Sequence, residues 1–375
     1  MQHTTHSYGN QMYKSAPYLT CCSQTKNIQT TSHVLGWTQL TTQLMALVFL
    51  FATKVACADT AQQLDALVKQ DGRDFSGVIL VRQGDRELAL RTYGEGINAD
   101  SLFILGSLSK QVFATAALKA VDLKLFTLSD SVNSALPEAL QSTNPVSITQ
   151  LLSHTSGIDK SGNKLNGSPG NGFEYSNANY QIAAHWLANL QGQSTVATLQ
   201  SLFQTNQLDL LADTGTVQEI KARHPRLALG RLQKDGQWLP IPADFSSTDV
   251  SLASGTLIGS ARGFADFQQK LHTGALLSDA SYRDMLTPRA TRPHSWGELG
   301  YGLGVQIGQG VREISHSGYV PGYMTTAVYY PDSQLQLVVL ENSAWDLKDP
   351  QWTFALHDAL HQWVLNLAQK GPLEK

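Results

Sequence analysis

The spacing of apolar residues changes twice along the chain, and the changes divide it. Thr60 to Lys69 (TAQQLDALVK) sets Leu64, Leu67 and Val68 on one face of a short amphipathic helix. Ser76 to Arg82 (SGVILVR) and Glu87 to Tyr93 (ELALRTY) are rich in β-formers, and Gln83-Gly84-Asp85-Arg86 between them signals a hairpin. From Ser107 the period turns helical. Ser107 to Val121 (SLSKQVFATAALKAV) is apolar almost all round, as a buried helix is. Ser147-Ile148-Thr149-Gln150 has the spacing of a capping box and opens a second helix (ITQLLSHTSG), which Gly157 is placed to close. Asp159 to Gly172 is a Gly/Asn/Ser loop, and Tyr180 to Leu190 and Ala261 to Leu271 read as helices. Strand patterns return late, at Gly302 to Ile307, Glu313 to Ser315, Tyr323 to Tyr330 and Gln334 to Leu340, before a last helix from Gln351 to Ala368.

Strands at both ends with helices between them predict an α/β (α+β) fold. An antiparallel sheet is flanked by N- and C-terminal helices and carries a mostly helical insertion, so its first and last strands pair across that insertion. The boundaries fall at 59–103 and 300–371 for the sheet part and 104–299 for the helical part, after a leader at 1–58.

Composition narrows the function. The 375 residues are 42% hydrophobic and 15% charged, with a formal charge of -3. That is ample for a core and excludes disorder over most of the chain. The balance lacks the basic excess that phosphate neutralisation requires, so nucleic acid is not an expected partner. The apolar run Leu44 to Thr53 (LMALVFLFAT) is too short to span a membrane but suits the core of a signal peptide, and Ala56-Cys57-Ala58 supplies a small-residue cleavage site before Asp59. The expectation is an exported, periplasmic or secreted protein with no stable membrane span in its mature form. Lipid attachment at Cys57 is the lesser alternative, because Lys54 stands where a lipoprotein signal wants Leu. A buried strand or helix of the fold is the other reading of the same run. Cleavage before Asp59 removes Cys21, Cys22 and Cys57, which leaves no thiol nucleophile, disulfide or thiolate metal site.

Nucleophilic chemistry must then come from Ser, Thr, Lys or a carboxylate. No HExxH, EF-hand, P-loop or GxSxG spacing occurs, and neither a metal nor a cofactor is expected. Ser-x-x-Lys occurs three times, at Ser23/Lys26, Ser107/Lys110 and Ser161/Lys164. Only Ser107 opens a strong apolar helix, where positions i and i+3 share a face. The positive helix end and burial both disfavour an ammonium there, which favours an amine able to accept the Ser107 proton. A second constellation is Tyr175-Ser176-Asn177, in which a tyrosine near Lys110 relays protons, partly as phenolate, and Asn177 bridges Lys110 and a substrate amide. Tyr8-Gly9-Asn10 shares that pattern but lies in the leader. A third is His316-Ser317-Gly318, read at the end of the strand VREIS. Gly318 allows close approach, and the Tyr319 N–H is placed to complete an oxyanion hole. Lys160-Ser161-Gly162 and His272-Thr273-Gly274 share its pattern, but lie in a loop and at a helix end.

Taken in order, FILGSLSK, LLSHTSGI, PGNGFEYSNANY, LASGTLIGSARGFADF and HSGYVPGY resemble blocks of the penicillin-recognising serine hydrolases. The likeness is greatest to the branch of class C β-lactamases, D-Ala-D-Ala carboxypeptidases and related esterases, and it runs from about Asp59 to the last helix. The resemblance implies Ser107 as the acylated nucleophile, Lys110 as proton acceptor and Tyr175 as general base and acid. It also implies Asn177, His316, Ser317 and Gly318 as substrate contacts, and the backbone amides of Ser107 and Tyr319 as the oxyanion hole. His316 stands where β-lactamases carry Lys, and a partly charged imidazole suits a substrate carboxylate less well than an ammonium. The short Asp159 to Ser168 link leaves the site open where relatives often have a longer loop. The expected activity is hydrolysis of small esters, amides or D-amino-acid peptides through an acyl-enzyme. β-Lactam hydrolysis and a non-catalytic cell-wall-peptide-binding protein of the same fold are the alternatives.

Overall fold

A computed structural model describes residues 59–141 and 145–371. The leader with its cysteines and apolar run, Ser23/Lys26 and Tyr8-Gly9-Asn10 all lie outside the described residues. Eight antiparallel strands form the main sheet: β1 (Gly77–Gln83), β2 (Arg86–Tyr93), β3 (Ala290–His294), β4 (Gly297–Tyr301), β5 (Gln306–Ile307), β6 (Ile314–Val320), β7 (Tyr323–Tyr330) and β8 (Leu335–Glu341). Their order is β3-β4-β5-β6-β7-β8-β1-β2, so the first strand pairs with the last across everything between.

The alternation within β1 shows why the sheet is covered on both faces. Ile79 and Val81 face a core shared with Leu64 of helix α1 (59–71) and with Leu356, Leu360 and Val364 of the last helix, Pro350–Gln369. Val78 and Leu80 face the opposite core, built with the helical insertion. Period-2 side chains therefore serve two apolar layers. At the centre of the insertion is α2 (Ser109–Asp122), whose positions 109–118 are all buried. The predicted capping box at Ser147 forms, with Gln150 N–H donating to Ser147 Oγ and Ser147 N–H to Gln150 Oε1.

Four elements differ from the sequence pattern. Of the strand read at Gly302 to Ile307 only Gln306–Ile307 forms. The helix α3 opened by Ser147 stops at Leu152 (Ile148–Leu152), because His154 takes a left-handed φ of 58°. The sheet takes in an outer hairpin, β3 and β4, upstream of position 300; Pro293 masks β3 in the sequence but is tolerated because β3 is the edge strand. And β6 runs on past Ser315 to Val320, because pairing with β7 continues to the Pro321-Gly322 turn. Among the described residues no helix is long and apolar enough to cross a membrane.

Candidate active site

Ser107 lies in a single 3₁₀ turn (Gly106–Leu108) that runs directly into α2, so Lys110 follows one turn later on the same face. The Lys110 side chain has no solvent exposure. Its Nζ is 3.1 Å from Ser107 Oγ and 2.6 Å from both Asn177 Oδ1 and the Ser254 carbonyl oxygen. No carboxylate pairs with it among the described residues. Burial, and after it the Arg292 guanidinium, lower the amine well below the ordinary lysine range. Nζ donates in all three contacts, and in its uncharged form the amine would keep two hydrogens for the carbonyl oxygens and turn its lone pair to Ser107 Oγ.

Tyr175 approaches from the opposite side, its hydroxyl donating to Ser107 Oγ at 2.7 Å. Burial pushes the phenol up to about 12, against the lowering effects of Ser107 and Arg292. The resting group is therefore a phenol, where the sequence reading allowed a partial phenolate. Tyr175 and Asn177 are held by the segment after α3. His154 Nδ1 accepts from the Ser176 N–H at 3.3 Å and from Asn179 Nδ2 at 3.2 Å, and its ring lies 4.3 Å from the Tyr175 ring. Asn179 Oδ1 in turn accepts from Ser156 Oγ at 2.7 Å. Helix α4 (Asn177–Gln191) starts at Asn177 itself, which fixes its side chain toward Lys110.

The third constellation lies within β6, not at a strand end. Its neighbour β5 covers only Ile314 and Ser315, so the outer edge of residues 316–320 has no strand partner in the sheet. Gly318 sits against the nucleophile turn. A Cβ there would meet Thr325 Oγ1, Ser107 N at 2.7 Å and the Leu105 carbonyl oxygen at 3.0 Å. A Cβ on Gly106, whose φ is 54°, would in turn come within 3.3 Å of Tyr319 N. The amides of Ser107 and Tyr319 are thus brought to neighbouring positions at the sheet edge. His316 is buried. Its Nδ1 donates to the Ser317 carbonyl at 2.8 Å, and its Nε2 shares a hydrogen bond with the Tyr301 hydroxyl at 2.9 Å. Burial, Arg292 and Lys110 lower its basicity well below the usual imidazole range. Ser317 Oγ faces His294 Nε2 at 3.5 Å.

The structure therefore brings Ser107, Lys110, Tyr175 and Asn177 into one hydrogen-bonded crevice, with His316, Ser317, Gly318 and Tyr319 along its edge. Ser161 and Lys164 stay in the exposed loop, where Ser161 Oγ donates to Asp159. Sequence reasoning missed three contributors: the Ser254 carbonyl, His154 and Arg292. A residue whose backbone oxygen does the work carries no signature in its side chain. His154 does stand inside the LLSHTSGI block, and that was the available signal.

The Beta-lactamase family model matches residues 60–359. The chain belongs to that family. This places it among the serine hydrolases of β-lactamase/transpeptidase-like fold, consistent with its antiparallel sheet and helical insertion. Solved structures share the fold at low identity. The octameric penicillin-binding protein homologue from Pyrococcus abyssi is 21% identical with a TM-score of 0.66, covering 76% of this chain and 73% of that one. A D-stereospecific amidohydrolase from Streptomyces sp. is 21% identical with a TM-score of 0.63, covering 81% and 97%. EstCE1, a hydrolase with promiscuous acyltransferase activity, is 19% identical with a TM-score of 0.65, covering 82% and 99%.

Proposed function

We propose that the protein is a serine acyl hydrolase that forms an acyl-enzyme at Ser107 and acts on small esters, amides or D-amino-acid peptides. One observation carries the reading: Ser107 Oγ lies between a buried phenol and a buried amine that has no acidic partner among the described residues. In this scheme Lys110 Nζ takes the hydroxyl proton as Ser107 Oγ attacks the acyl carbon. The oxyanion that forms is met by the amides of Ser107 and Tyr319. Tyr175 gives its proton to the departing alkoxide or amine and recovers one directly from the Lys110 ammonium, since the acylated Ser107 Oγ has no proton to pass on. Water then enters, loses a proton through the same groups and releases the acid. Asn177 holds the amine in register and, with Ser317 and Gly318, borders the substrate.

Burial and the neighbouring cations disfavour the imidazolium form of His316, so the third motif offers a substrate carboxylate less charge than a lysine does, which favours neutral esters and amides over β-lactams. The fold is shared with a D-stereospecific amidohydrolase and with a hydrolase of promiscuous acyltransferase activity, which is compatible with such substrates. The test compares a p-nitrophenyl ester, a D-Ala-D-Ala peptide and nitrocefin on wild type and Ser107→Ala. Turnover of the ester or the peptide that disappears in Ser107→Ala supports the reading. Turnover that survives the substitution, or nitrocefin as the best substrate, overturns it.

A further inference from the structure

Arg292 lies on the edge strand β3, outside every block that carries the family likeness. It is half-buried, with its Cζ 4.9 Å from the centroid of the Tyr175 ring. Its Nη1 is buried without a hydrogen-bond partner, and no ion pair neutralises it among the described residues. The groups facing this crevice are Lys110 from α2, His154 from the segment after α3, Tyr175 before α4, Tyr180 from α4, Tyr301 from β4, His316 from β6 and His294 from β3 itself. None is acidic. His316 is held between the Ser317 carbonyl and the Tyr301 hydroxyl, and burial, with Arg292 and Lys110, disfavours its charged form. A guanidinium cannot shed its proton, whereas a buried amine or imidazole can. Placed together in the crevice, the permanent cation keeps its charge and the titratable groups are pushed toward their neutral forms.

We infer that Arg292 supplies the cation that the third motif of this chain lacks, and that it acts through Lys110 and Tyr175 as a positioning residue. The inference rests on the acyl-hydrolase reading for its consequence in turnover, but not for its effect on Lys110. Arg292 disfavours the ammonium form of Lys110, which keeps the base free, and its place over the Tyr175 ring favours the phenolate left when the leaving group is protonated. Its burial against these groups agrees with the lowering of Lys110, His154 and His316, in which burial comes first and Arg292 also contributes.

The experiment compares wild type, Arg292→Gln and Arg292→Lys by two readouts. One is the pH dependence of kcat/KM for a neutral p-nitrophenyl ester and for an ester carrying a carboxylate. The other is the ¹³C titration of Lys110 in protein labelled at lysine Cε, its resonance identified by loss in Lys110→Met. Expected for Arg292→Gln is an upward movement of both the acid limb and the Lys110 midpoint by about one pH unit, the size of a close-charge effect. In Arg292→Lys both return toward wild type. An unmoved Lys110 midpoint overturns the inference, and loss confined to the carboxylate ester with the midpoint unmoved makes Arg292 a substrate contact instead. If wild type turns over no ester, the acyl-hydrolase reading falls while the titration still decides the effect of Arg292 on Lys110.

Discussion

Replacing Lys110 with methionine separates the cost of the buried amine from its use. Methionine retains an unbranched side chain of similar length and cannot titrate. In wild type the amine is held well below its ordinary value, mainly by burial, so between its folded value and the unfolded value of about 10.4 the folded chain binds one proton fewer than the unfolded chain. Stability must therefore rise with pH through that window, by about 1.4 kcal/mol per pH unit, and flatten below the folded value. Lys110→Met loses this slope. It also leaves Asn177 Oδ1 and the Ser254 carbonyl oxygen without their donor, an offset of about 1–3 kcal/mol per group that does not depend on pH. The difference in unfolding free energy between the two proteins should thus move in favour of wild type as pH rises above the folded value, by about 1.4 kcal/mol per pH unit. Urea unfolding at a series of pH values measures it. Parallel pH profiles for the two proteins would refute the uncharged amine and, with it, the identity of the base.

Other outcomes follow from the same geometry. Gly318→Ala forces a Cβ against Ser107 N and Thr325 Oγ1; it should lower kcat about 100-fold, as a misplacement near 1 Å does, and destabilise the fold by about 1–3 kcal/mol, read by steady-state kinetics and thermal melting. Tyr175→Phe keeps the ring packing and removes only the proton donor, so kcat should fall about 10²- to 10⁴-fold with little change in melting temperature. Ser147→Ala breaks the capping box far from the crevice; urea unfolding should show a loss of about 1 kcal/mol, with kcat/KM unchanged.

What was legible in the sequence was local. Ser107 and Lys110 are three residues apart on one helix, and the capping box at Ser147 is a spacing of three, so both can be read without knowing the fold. Tyr175 and Asn177 were legible as a pair, but their approach to Lys110 depends on His154, whose left-handed backbone ends α3 early and turns its ring against Tyr175. Periodicity placed the central strands well because each serves two apolar layers. It failed for β3, where burial alternates but two of the three half-buried positions are Arg292 and His294 rather than apolar residues and Pro293 lies between them, and so it missed Arg292 on that strand. It also ended β6 at Ser315, since the register that carries the strand to Val320 is set by β7 rather than by its own residues.

The most direct test of the account is the intact mass of the protein, acid-quenched within milliseconds of mixing with an activated ester. The account requires one acyl group per chain, mapping to Ser107, absent from Ser107→Ala and slowed in Lys110→Met. Product accumulating with no acyl adduct, or an adduct on any other residue, would contradict it.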